Sequence, residues 1–124
     1  MIALDIGLKR IGVAKCVNGI ILPKLAILRK NRNQAAKEVS ALIKIEKAKT
    51  LIIGIPSNRD MQERIKHFVG LLEIEKEVKI VFVDEDFSSY EAGEKIQGSK
   101  DSKKKDGSLD SISAMIILER YLMR

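Results

Sequence analysis

Three carboxylates stand where apolar packing would be expected or where a strand ends. Asp5 lies within the apolar run Met1 to Ile6, Glu85 follows the apolar run Val78 to Val83, and Asp110 opens the last helical stretch. Burying an ionised carboxylate without a partner is strongly unfavourable, so Asp5 has to be paired, hydrated or bound to a cation. Asp110 shares a helical stripe with Ala114, Ile117 and Tyr121 and is expected to point inward. If the three acids converge, like charges about 4 Å apart repel by roughly 4 kcal/mol at a surface-like dielectric. A hard divalent cation would relieve that repulsion. Oxygen donors with no supporting His or Cys cluster suit Mg²⁺ or Mn²⁺. Two such ions about 3.5–4 Å apart activate water and stabilise a leaving oxygen in phosphodiester cleavage. Each acid taken singly also has a plainer explanation. Asp5 before Gly7 is an ordinary turn pair, Asp84 to Asp86 a solvated strand end, and Asp110 a complement to a helix dipole worth about 0.3–1 kcal/mol.

The elements that must position these acids follow from periodicity. Met1 to Ile6 and Ile11 to Val17 read as an antiparallel hairpin joined at Gly7 to Arg10, with Lys9 and Arg10 as two positive charges at the turn. Gly19 to Leu28 is a third strand, which Pro23 assigns to a sheet edge because proline cannot donate to a central ladder. Asn31 to Asn33 offer cap residues, and Ala35, Val39, Leu42 and Ile43 recur at helical spacing to about Ala48. Thr50 to Ile55 is a fourth strand, ended by Pro56, Ser57 and Asn58, which cap a helix with Met61, Ile65, Phe68, Val69 and Leu72 on one face. His67 falls off that stripe and reads as solvated. Val78 to Val83 is the fifth strand. Ser88 and Glu91 form a capping-box pattern for a short helix to about Ile96. Residues 98–108 contain no apolar side chain but carry Lys103, Lys104 and Lys105, and are expected to form a mobile loop. A last helix, Leu109 to about Leu122, is apolar around much of its circumference and should pack deeply.

A meander followed by crossovers predicts a three-layer α/β fold, with a mixed five-stranded sheet and helices on both faces. At 124 residues the chain is expected to be one domain, residues 1–124. Its net charge of +6 and pI near 9.5 favour an anionic partner such as nucleic acid. The apolar runs are strand-sized, so no membrane span is expected. One cysteine excludes an intrachain disulfide and suits a reducing cytoplasm.

DIGLKRIGVA, IIGIPSN, VDEDFSSYEA and LDSISAMIILERYL, in that order and nearly end to end, resemble the YqgF-type family. Members of that family are ribonuclease-H-like proteins described as Holliday-junction resolvases and as nucleases that process the 5′ end of the 16S ribosomal RNA precursor. The resemblance implies a ribonuclease-H-like fold, a cytoplasmic location, Mg²⁺ or Mn²⁺ as cofactor, and Asp5, Glu85 and Asp110 as the metal-binding catalytic acids. The middle motif departs from the family pattern, because Asp86 stands where a positive side chain is usual. Asp84 and Asp86 flank Glu85 as two further acids that would compete with it for metal.

With this reading the basic residues find a role. Lys9 and Arg10 would flank the acids, and Lys103, Lys104 and Lys105 lead into Asp110, so both groups could bring phosphates to the site. The leading expectation is a metal-dependent endonuclease for structured RNA, with precursor ribosomal RNA ranked first. A junction resolvase acting on branched DNA is the alternative. It must cut two strands symmetrically, which one domain with one site does only as a homodimer. A binding module that has lost catalysis is a further class. An actin-like kinase also opens on an Asp-x-Gly strand, but such enzymes hold nucleotide between two related domains, and this length provides one.

Overall fold

The computed structural model describes residues 1–84 and 108–123, with side chains of the last helix described from Ser111 onward. Five strands, β1 (Ile2–Ile6), β2 (Arg10–Val17), β3 (Ile20–Leu28), β4 (Thr50–Ile55) and β5 (Lys79–Asp84), form one sheet in the order β3-β2-β1-β4-β5. Among the described residues the helices are α1 (Arg32–Ile45), α2 (Arg59–Gly70) and α3 (Ser108–Leu122). β1, β2 and β3 form an antiparallel meander, whereas β4 and β5 run parallel to β1. The helix-bearing links α1 and α2 allow this, because parallel neighbours need a crossover rather than a tight turn. The expected short helix at 88–96 and the lysine loop lie outside the described residues.

The period-two alternation of β1 divides the core into two layers. Ile2, Leu4 and Ile6 join Val13, Leu51 and Ile53 under α1 and α2, against Ala35, Val39, Ile65 and Phe68. Ala3 faces the other way and joins Ala14, Ile52 and Val83 under Ala114, Ile117 and Leu118 of α3. Small side chains at Ala3 and Ala14 let α3 approach closely, and Ser111 and Ser113 are buried there as well. The Ser111 hydroxyl donates to the carbonyl oxygen of Lys24 at 2.7 Å, tying the first turns of α3 to β3. The last helix thus packs deeply, as its composition required.

Local signals account for the element ends. The Asn31 side chain accepts from the Gln34 amide while the Gln34 side chain accepts from the Asn31 amide, a reciprocal cap for α1. Asn58 caps α2 by accepting from the Met61 amide. Pro23 sits on β3, which is an edge strand. No helix among the described residues is long and apolar enough to cross a membrane.

Candidate active site

Asp5 is the fourth residue of the central strand β1, in the apolar stretch IALDI. Alternation from Ala3 turns it toward the α3 face. Its neighbours on both adjoining strands are glycines. Gly12 is its partner on β2, and one step beyond the Leu4 and Ile53 pair brings Gly54 of β4 beside it. Both glycines are buried and Asp5 is half-buried. A carboxylate therefore occupies a face otherwise made of Ala3, Ala14 and Ile52, with no Cβ on either side to crowd it. The parallel strands β1, β4 and β5 end on the same side of the sheet, and open α/β sheets bind ligands at that carboxyl edge.

The other two predicted acids are placed only in part. Glu85 lies outside the described residues and follows Asp84, the exposed last residue of β5. Asp110 belongs to the first turn of α3 by its backbone, directly before Ser111. Lys24, which holds Ser111, pairs with Val13, and Val13 pairs with Leu4. The first turns of α3 therefore lie level with the Asp5 end of β1, on the Asp5 side of the sheet. Lys103, Lys104 and Lys105 lie outside the described residues.

Lys9 and Arg10 are at the hairpin tip, three and four residues past Ile6, the last residue of β1. Arg10 is half-buried, and its carbonyl oxygen accepts from the Gly7 amide at 2.9 Å. A Cβ at Gly7 would meet that same oxygen at 2.7 Å, so glycine is required for the close approach that forms the turn. The carbonyl oxygen of Lys9 accepts from the Arg29 amide at 2.8 Å, and its side chain is exposed.

On the opposite face of the same edge is a cleft of about 600 Å³ that the sequence did not reveal, lined by Ile6, Gly7, Arg29, Arg32, Arg64 and His67 among others. Arg29 Nη1 donates to the Gly7 carbonyl oxygen at 2.7 Å, and its guanidinium lies 5.0 Å from the Phe68 ring centroid. Burial first, and the nearby Arg32 charge second, lower the Arg29 pKa from its ordinary value. Arg32 Nη1 is 3.2 Å from His67 Nε2. His67 is exposed, as its place off the apolar stripe implied, yet it faces this cleft rather than open solvent alone. These arginines come from the end of β3, the start of α1 and the middle of α2, so no sequence window holds them together.

Among the described residues no three His, Cys, Asp or Glu side chains gather into a metal site. Glu85 and the side chain of Asp110, the other two expected ligands, lie outside what is described. The half-buried carboxylate between two glycines fits a hard divalent ion in donor chemistry.

The mixed sheet with two helices on one face and one on the other is the ribonuclease-H-like fold, and the chain falls in the class of hydrolases acting on nucleic acid. It belongs to the RuvX family, described as Holliday junction resolvase, whose model matches residues 1–124. A Campylobacter jejuni subsp. doylei protein is 54% identical over 125 residues, covering 97% of this chain and 94% of the relative. A Helicobacter pylori protein is 47% identical over 130 residues, covering 100% and 96%. Both carry the name "Putative pre-16S rRNA nuclease". The crystal structure of the fowlpox virus Holliday junction resolvase is similar in fold, with a TM-score of 0.53 at 15% identity over 99% of this chain and 97% of that one.

Proposed function

We propose that residues 1–124 act as one cytoplasmic nuclease domain, a metal-dependent endonuclease that hydrolyses phosphodiesters in structured RNA, with the 5′ end of the 16S ribosomal RNA precursor as substrate. The carrying observation is the Asp5 carboxylate, half-buried at the carboxyl end of the central strand between Gly12 and Gly54. The names of the Campylobacter and Helicobacter relatives support the choice of RNA. Asp5, Glu85 and Asp110 would hold Mg²⁺ or Mn²⁺. When bound, such an ion supplies a nucleophilic water at neutral pH and positive charge for the leaving oxygen. The chain's own share is to fix the carboxylates and the phosphate. Asp5 sits on a strand paired on both sides, so its position costs no reorganisation when substrate arrives. Lys9 and Arg10 at the hairpin tip, with Lys103, Lys104 and Lys105 before α3, would draw the phosphate backbone to that edge.

The family description favours a second reading, a resolvase that cuts four-way DNA as a homodimer. One experiment separates the two: Mn²⁺-dependent cleavage of a labelled precursor ribosomal RNA 5′ segment and of a four-way DNA junction, with Asp5→Asn as control. RNA cleavage lost in the variant supports the RNA nuclease. Paired nicks in the junction alone replace it with the resolvase. Binding without cleavage of either substrate removes the enzyme reading and leaves a binding module.

A further inference from the structure

We propose that the cleft lined by Arg29, Arg32, Arg64 and His67 is a second phosphate-binding subsite, which holds the substrate strand beside the cut as it passes over the carboxyl edge of β1. The proposal takes its substrate class from the nuclease reading and adds where the strand runs. Asp5 belongs to the α3 face, whereas the cleft opens under α1 and α2, beside Ile6 and Gly7. Asp5 and Gly7 are two steps apart along extended chain, about 7 Å at the usual rise per residue. Successive phosphates of a strand advance about 3.4 Å along a duplex axis and lie farther apart than that through space, so this is on the order of one nucleotide step. A strand cut near Asp5 would therefore carry its next phosphates over the Gly7 turn and into the cleft.

The charge of the cleft is what calls for an anion. Among the described residues, three guanidiniums face a space with Glu63 as the one lining carboxylate, and none of the three arginines is ion-paired. Arg32 is also the first residue of α1, whose first turn carries no acid, so its charge adds to the positive end of the helix dipole. Repulsion of this kind is unfavourable in the free protein and is relieved by phosphate. Arg29 is held by Gly7 and Phe68 with one of its five donor hydrogens on the Gly7 carbonyl, which leaves donors for an oxyanion. Its burial-lowered pKa agrees with crowded, under-compensated charge. Arg32 Nη1 lies 3.2 Å from His67 Nε2, a contact that holds the guanidinium beside a cleft-lining side chain of α2.

The test measures anisotropy of a labelled single-stranded RNA oligonucleotide across a KCl series in EDTA, with the wild-type chain, an Arg32→Ala/Arg64→Ala variant and a Lys37→Ala/Lys44→Ala control. All four side chains are exposed on helices, so the fold should survive. Removing two phosphate contacts should lower the slope of log affinity against log salt by about 1.4, and the lysine control should leave it unchanged. An unchanged slope in the arginine variant, an equal fall in the control, or no RNA binding by the wild type would each overturn the subsite. Cleavage in Mn²⁺ by the same wild-type protein is scored separately. Cleavage with an unaltered arginine slope removes the subsite and keeps the nuclease, whereas an arginine-dependent slope without cleavage does the reverse.

Discussion

Asp5 and Gly12 stand directly opposite each other on β1 and β2, an ionisable carboxylate facing a residue with no side chain. Paired residues on antiparallel strands lie on the same face, with Cβ atoms about 4.5–5.5 Å apart when both have them. The missing Cβ at Gly12 leaves that room beside the carboxylate. Gly54 does the same on the β4 side. Replacing Asp5 with Asn keeps the shape and removes the charge. We expect Asp5→Asn to reduce Mn²⁺-dependent cleavage at least about 100-fold, the scale of losing one group aimed at developing charge. RNA affinity and melting temperature should not fall. A variant that cuts normally would remove Asp5 from the site.

Gly54→Val tests the room itself. Added carbons on a buried face cost about 1–3 kcal/mol by overpacking, and they would displace the neighbouring carboxylate. Single-turnover cleavage should drop by about 100-fold, as for a misplaced catalytic group, while anisotropy of bound RNA stays within about twofold of wild type. Equal losses in binding and cleavage would point to simple unfolding instead.

Gly7→Ala should damage the hairpin tip that carries Lys9 and Arg10, because the new Cβ would meet the Arg10 carbonyl oxygen at 2.7 Å. The turn must open, and the Gly7 amide bond to Arg10 and the Arg29 bond to Gly7 are both put at risk. A loss of about 1–3 kcal/mol in urea unfolding is expected. Stability indistinguishable from wild type would show that the turn has slack.

Ser111→Ala removes a buried donor from the Lys24 carbonyl oxygen. The cost should be about 1–2 kcal/mol, and since Asp110 is the preceding residue of α3, cleavage should fall further than stability alone predicts. Comparing kcat at a temperature where both proteins are fully folded decides this.

Glu46, at the C-terminal cap of α1, bridges Lys24 at 3.0 Å and Lys15 at 3.4 Å, linking the helix to β3 and β2. The hydrogen bond from Lys24 is the main cause that lowers its pKa below the ordinary carboxylate range, with Lys15 adding to it and burial opposing. A lowered folded-state pKa means that the contribution is present at neutral pH and is lost as the pH falls through the carboxylate range. Glu46→Gln should therefore be less stable than wild type at pH 7 by under about 1 kcal/mol, and the two melting curves should converge in acid. A gap that persists in acid would assign the effect to packing.

Local chemistry in the sequence determined most of the scaffold. Pro23 announced an edge strand, Asn31 and Asn58 the helix starts, and the unbroken apolar run of β1 a strand covered on both faces. Each of these is a short-range rule, set by a missing amide, a capping oxygen or the burial of consecutive apolar side chains. Tertiary structure alone decided what stands next to what. Gly12 and Gly54 flank Asp5 only through strand register, a property of pairs of strands. Arg29, Arg32 and Arg64 are unremarked polar-face residues in sequence, and they become one cleft because α1 and α2 pack side by side on the face of β1 opposite Asp5. Charge is encoded residue by residue, but its concentration into a site depends on long-range packing that no local window contains.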